Sequence, residues 1–354
     1  MRPFVIVALA SAILALVSPP SRPELQRSAD RLVATSPLPG VVALFEQDGR
    51  RTIVAAGKAD LRRGTRARPG DRVWVGSVTK SFVATVVMQL VAERRLSLDD
   101  DVERLLPGRL REGRRIRLRN LLNHTSGIPD YMGLEPWRSA FARNPRVVIP
   151  ARRLVSSAAD LALDFEPGSM ASYSNTNYLV LAEIVERLTG RPLGRELRTR
   201  IFEPLGLLAT TFEAGRRRVG PGRMHGYDVS GPRPRDVSLH GLGGPWADGA
   251  IVSNARDLAV YIGALLRGRL VPTALLAQMK TIVPRSHGEG LGLYRLPSPC
   301  RRWFYGHTGG TPGYITFAAG SPNGRRIVVL AVNGVGPTAI QAMGRYLDRL
   351  LCRR

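Results

Sequence analysis

The chain has 354 residues, 44% of them hydrophobic, which is enough for one large domain or two closely packed ones with a sizeable core. Its 52 basic against 28 acidic residues give a formal charge of +24, yet only three of the cations are lysines, and the arginines are spread along the whole length without a basic tail or aromatic-interleaved patch. That distribution argues against nucleic-acid binding, and two cysteines with five scattered histidines and no CxxC or HExxH spacing argue against redox or metal chemistry; neither a cofactor nor a metal is expected.

Residues 4–17 form an uncharged apolar run behind Arg2, broken at Ser18-Pro19-Pro20-Ser21. This reads as a signal peptide over residues 1–21, because 14 apolar residues fall short of the ~20 that span a bilayer. An uncleaved N-terminal anchor is the alternative. Either places the remaining residues, 22–354, in a secreted, periplasmic or envelope-exterior compartment. There the positive charge would give a weak attraction to anionic envelope polymers.

Beyond the leader, Leu25, Ala29 and Leu32 recur at helical spacing. Gly40-Val41-Val42-Ala43-Leu44-Phe45 reads as a buried strand, and the Asp48-Gly49 turn predicts a hairpin partner over residues 51–56. Residues 77–94 hold no Gly or Pro and are too continuously apolar for a surface helix, so a buried helix is expected. A mainly helical, loop-rich stretch follows to about residue 245, with helices over 119–122 and 177–188, the latter stopped by Gly190. Strand character returns over 314–319 and 327–332 around Pro322-Asn323-Gly324, and Ile340, Met343, Leu347 and Leu350 mark the apolar stripe of a final helix. The predicted fold is α/β, of the α+β type: an antiparallel sheet flanked by helices, built from about 22–75 and 250–354, with a mostly helical second lobe over about 76–249. A cleft between the lobes is the natural ligand site.

Three segments carry chemistry. Ser77-Val78-Thr79-Lys80 puts a hydroxyl and an amine three residues apart on one helix face, where the amine can take the hydroxyl proton. In a chain that uses arginine almost everywhere, lysine at 80 marks a group that must be able to lose a proton. Tyr173-Ser174-Asn175 sits in a loop entering a helix and offers a phenol for proton shuttling and an amide for a substrate carbonyl or the lysine. His307-Thr308-Gly309-Gly310 precedes the hairpin, so it should form or border an edge strand that a substrate backbone can approach and whose N–H can stabilise an oxyanion.

In this order the segments resemble the serine β-lactamase and penicillin-binding family, whose signature is Ser-x-x-Lys, Tyr-x-Asn and Lys/His-Thr-Gly. The likeness is strongest to secreted D-alanyl-D-alanine carboxypeptidases and extends through Leu122-Asn123-His124-Thr125-Ser126-Gly127. It implies an acyl-enzyme on Ser77, with Lys80 as proton acceptor and Tyr173 protonating the leaving amine. Ser77 and Gly310 N–H groups would form the oxyanion hole, Asn175 would position the substrate amide, and His307, Thr308 and Gly309 would hold the carboxylate side, with Trp246 as a cleft aromatic. Where relatives place a carboxylate-binding arginine, Tyr294 stands here with Arg295 beside it. His307 replaces a frequent lysine, so its electrostatic help should fade above roughly pH 6.5. Cys300 and Cys352, in an exported chain, are expected to pair. His124 reads as a structural loop residue.

The expected activity is D-alanyl-D-alanine carboxypeptidase action on a peptidoglycan stem peptide or another small acyl substrate, with β-lactams as covalent inhibitors. The alternatives are a carboxylesterase or β-lactamase-like hydrolase using the same residues, and an inactive penicillin-binding or sensor protein.

Overall fold

The computed structural model describes residues 20–352 apart from 216–218, 242–245 and 285, so the leader reading lies almost wholly outside it. Helix α1 (Arg22–Ala34) starts at a capping box in which Ser21 and Glu24 satisfy each other's backbone N–H. Strands β1 (Gly40–Gln47) and β2 (Arg50–Asp60) form the expected hairpin, β2 starting one residue earlier and ending four residues later than the apolar pattern indicated. Strand β3 (Thr65–Arg66) adds the edge. The chain returns to the sheet as β4 (Tyr294–Pro297), β5 (Trp303–Thr311), β6 (Tyr314–Gly320) and β7 (Arg326–Val332), giving the antiparallel order β3-β2-β1-β7-β6-β5-β4.

Both faces of this sheet are covered, which is why β1 reads as a run of apolar residues rather than an alternation. Val41, Ala43 and Phe45 join a core with α1 and α5 (Pro337–Leu351), whereas Val42 and Leu44 join the larger core around α2 (Val78–Ala92), α3 (Asn175–Thr189) and α4 (Ala255–Leu266). Twelve of the 15 residues of α2 are buried, as its composition predicted.

The structure sharpens three expectations. Helix α5 does cover the sheet, but its buried residues are Ala339, Ala342, Met343, Tyr346, Leu350 and Leu351, and Ile340 is 53% exposed. The small alanines let the helix approach closely, which turns its face away from Ile340. The middle region is not purely helical: two small three-stranded sheets join segments such as Val73–Trp74, Thr211–Phe212 and Ile251–Ser253. Strand β5 borders the sheet edge as expected: the edge strand β4 pairs with it as far as Gly306, and the outer side of His307 to Thr311 is left unpaired by any strand among the described residues.

Candidate active site

Ser77 is presented by backbone packed on backbone. Gly76 has φ +54, and a Cβ there would lie 2.7 Å from Gly310 O; a Cβ on Gly309 would lie 1.9 Å from Val75 O. Only glycine fits either place, so the turn before α2 rests directly on the free side of β5. Hydrogen bonds from Val78 N to Val75 O, Thr79 N to Gly76 O and Lys80 N to Ser77 O close the first turn. They set Ser77 at the cap of α2 and bring Lys80 beneath it. The Ser77 N–H makes no hydrogen bond among the described residues. It sits at the positive end of the helix dipole, where negative charge is favoured.

Lys80 is fully buried, and its Nζ touches three oxygens: Ser77 Oγ at 3.2 Å, Asn175 Oδ1 at 2.8 Å and Asp248 O at 2.9 Å. Two of these are carbonyl oxygens that can only accept, so two N–H bonds are committed to them. A neutral amine in the same position keeps its lone pair for the Ser77 O–H, which is the arrangement a base needs. The Asp248 carbonyl is fixed by its own side chain: Tyr131 Oη donates to Oδ2 at 2.7 Å and Trp246 N to Oδ1 at 3.1 Å. Burial and the adjacent Asp248 carboxylate push the Tyr131 phenol far above its ordinary pKa, so it stays a donor. Trp246 is partly buried in the same turn.

Asn175 spends both ends of its amide inside the protein, since Nδ2 donates to Asp130 Oδ2 at 2.9 Å and approaches Met132 Sδ at 3.2 Å. The geometry therefore makes it an anchor of the lysine before it can be a substrate contact. Desolvation raises the Asp130 carboxyl above its usual range, and no cation pairs with it among the described residues. Tyr173 is half-buried; its ring centroid is 5.0 Å from Lys80 Nζ and 4.4 Å from that of His124, tilted by 31°.

His124 holds more than a loop. It adopts φ +59, its carbonyl accepts from Ser172 N, and its Nδ1 accepts from Ser174 N at 3.2 Å, which leaves the ring proton on Nε2. Complete burial and the Lys80 charge keep the ring neutral, well below its ordinary pKa. Its ring and backbone thus brace the segment carrying Tyr173. Sequence reasoning left this residue, Asp130, Tyr131 and Asp248 outside the site, although His124 lies in a segment that carries the resemblance.

On β5, His307 and Gly309 are buried while Thr308 and Gly310 face outward. The expected fading of His307 above pH 6.5 is overturned. Burial, together with the Lys80 charge, lowers its pKa to about 3, so the ring is neutral throughout the neutral range. Nδ1 lies 2.5 Å from Thr308 O and must carry the proton, leaving Nε2 as an acceptor. Tyr294 packs edge-on against this ring at 4.9 Å. Arg295 turns to a separate surface groove, its guanidinium 4.4 Å over the Trp303 ring, and none of Ser77, Lys80, Tyr173 or His307 lines that groove. Cys300 and Cys352 are disulfide-bonded, Cα atoms 5.4 Å apart, tying the β4–β5 connection to the end of α5. No group of three potential metal ligands occurs among the described residues.

Comparisons with known proteins give the chain a family and a fold. A penicillin-binding protein of Bacillus subtilis strain 168 is 30% identical over 282 residues, which are 73% of this chain but 60% of that protein's length. Penicillin-binding protein 4 of Amycolatopsis lactamdurans is 30% identical over 340 residues, 87% of this chain and 84% of its own. The crystal structure of a D-stereospecific amidohydrolase from Streptomyces sp. superposes with a TM-score of 0.83 at 33% identity, covering 94% of this chain and 99% of that one. The sequence profile of the family described as Beta-lactamase matches residues 25–353, and with the Ser77–Lys80 geometry this makes the chain a member of the beta-lactamase family of serine hydrolases.

Proposed function

We propose that the protein hydrolyses the amide bond of small D-aminoacyl substrates through an acyl-enzyme on Ser77, in preference to removing D-alanine from the carboxyl end of a peptide. Ser77 Oγ attacks the substrate carbonyl carbon as its proton passes to Lys80 Nζ, which lies 3.2 Å away. The N–H groups of Ser77 and Gly310 hold the oxyanion. The leaving amine departs with a proton delivered by Tyr173, and water then attacks the ester carbonyl, giving its proton back through the same groups and freeing Ser77.

The observation that carries the preference is the charge around the nucleophile. A carboxypeptidase must hold a carboxylate on the leaving side, but His307 is neutral with Nε2 left as an acceptor, and Arg295 is stacked on Trp303 elsewhere. The charge without a cationic partner among the described residues is instead the Asp130 carboxylate, two bonds of a hydrogen-bond chain from Lys80, which complements an α-ammonium. D-stereospecificity rests on the likeness to the Streptomyces amidohydrolase. Acylation by β-lactams, export through a leader over residues 1–21 and work in the cell envelope belong to the same proposal.

The test compares a free-amine D-amino acid amide, its N-acetyl derivative and an acetylated D-alanyl-D-alanine peptide. Ammonia release should be fastest from the free amine, with a mass adduct that Ser77→Ala abolishes. Asp130→Asn should lower kcat/KM for the free amine by about 10- to 100-fold more than for the acetylated amide, the range of one charge-assisted hydrogen bond, because any loosening of Asn175 and Lys80 affects both substrates alike. Faster release of D-alanine from the peptide than of ammonia from the amide would restore the carboxypeptidase reading. If only simple esters turn over, the carboxylesterase alternative stands; if acylated Ser77 never releases its product, the sensor does.

A further inference from the structure

The groove that takes Arg295 has its own composition. Its volume is about 450 Å3; Lys280, Arg295, His287 and Trp303 line it, and no acidic side chain does among the described residues. On the other side of Trp303 a second groove of about 500 Å3 carries Arg302, Arg325, Arg326 and Asp48. Trp303 lines both and is 46% exposed, unusual for so large an apolar ring. The two grooves are also bridged by Lys280, which lines the first and donates to Pro322 O in the second at 2.8 Å.

Among the described residues the strip holds five cations and one carboxylate, and that carboxylate, Asp48, is already paired with Arg325 at 2.5 Å. Two of the cations are braced by rings, Arg295 over Trp303 at 4.4 Å and Lys280 over Tyr305 at 5.6 Å, so they are held in place rather than free to sweep solvent. Burial and the neighbouring Arg302 charge lower the pKa of Arg326, against an opposing effect of Asp48. Cations that repel each other and are fixed in consecutive concave grooves have a use if an extended anion lies along them.

We propose that this strip is a docking site for a linear phosphate-bearing polymer, laid through both grooves across Trp303 and separate from the catalytic cleft. Two features choose that partner. Consecutive grooves fit a chain, where a bilayer needs a convex or flat face. A single exposed aromatic is too few for a nucleic-acid strand, which stacks successive bases on several rings. The proposal is independent of what Ser77 hydrolyses.

Long-chain inorganic polyphosphate is the probe, with Trp303 fluorescence and sedimentation as readouts. The triple variant Lys280→Ser, Arg295→Ser, Arg302→Ser should bind at least 10-fold more weakly, and its slope of log affinity against log salt should shrink by about two, at ~0.7 per lost contact on a single strand. The matched control changes three exposed α1 arginines, Arg22, Arg27 and Arg31, to Ser and should bind like the parent. Equal losses in both variants, or none in either, would overturn the proposal by reducing the effect to overall charge. Tighter binding of single-stranded DNA or of anionic vesicles than of polyphosphate would also overturn it. If the triple variant unfolds, Arg302→Ser alone, fully on the surface, should still weaken binding about 3-fold and reduce the slope by ~0.7.

Discussion

Adjacent glycines in the third motif should respond oppositely to the same methyl group. A Cβ on Gly309 would lie 1.9 Å from Val75 O, 3.0 Å from Val75 C and 3.1 Å from Ser77 N, all backbone atoms that cannot rotate aside. Ordinary contact begins at 3.4 Å, so the strand and the nucleophile turn must separate by about 1.5 Å. A displacement of roughly 1 Å at reacting atoms can cost about 100-fold in rate, or ~2.7 kcal/mol, and overpacking adds ~1–3 kcal/mol of destabilisation. A Cβ on Gly310 would meet nothing within 4 Å, and its N–H is retained. Gly309→Ala should therefore lose about 100-fold in kcat on a small ester and melt lower, while Gly310→Ala keeps kcat within about 3-fold and changes chiefly KM for bulkier substrates. Initial rates with thermal melts of both variants check this. Equal loss of kcat in the two, with both folded, would refute the contact between β5 and the turn before α2.

Protonation of the buried histidines should set the acid limit of stability. His307 falls to about 3 and His124 well below its ordinary value, so below pH 6.5 the unfolded chain takes up protons that the folded one refuses. Their contribution is complete above pH 6.5 and is lost as pH falls towards 3, by up to ~1.4 kcal/mol per pH unit for each ring. Urea unfolding at several pH values should show this slope, reduced by about one proton in His307→Asn; an unchanged slope would refute it. Removing the Cys300–Cys352 bridge, which spans 52 residues, should cost about 4 kcal/mol in denaturant midpoints if chain entropy dominates. Asn175→Asp would set a carboxylate against Lys80 Nζ at the present 2.8 Å contact and favour the ammonium by ~4 kcal/mol, so activity at neutral pH should fall about 10²- to 10³-fold and recover in part as pH rises. Activity that ignores pH in this variant would count against Lys80 as base.

The proposed nucleophile and base were legible because their spacing is local. Ser77 and Lys80 share a helical turn, and Asn175, 95 residues away, does meet Lys80. What escaped is carried by groups without a residue-type signal. Asp248 reaches the lysine through its main-chain carbonyl, which any residue possesses, and only Tyr131 and Trp246 holding its carboxylate explain why an aspartate stands there. The neutrality of His307 comes from burial against Tyr294 on another strand, which no pattern in 307–310 encodes. Helix α5 was placed correctly but with the wrong residue outward, since an apolar stripe of Ile340, Met343, Leu347 and Leu350 omits the alanines that decide the close approach.

These missed groups share a consequence for the base. Two carboxylates lie near Lys80, and each is held one group away from it: Asp130 through the Asn175 amide, Asp248 behind its own carbonyl. A carboxylate in direct contact would bind the lysine proton tightly and leave no acceptor for Ser77. Two carbonyl oxygens orient the same nitrogen with partial charge alone, and the full charges behind them fix those carbonyls in place. The site thus gains the positioning that charged partners supply without their hold on the proton, which is the condition under which a buried lysine beside a serine can act as its base.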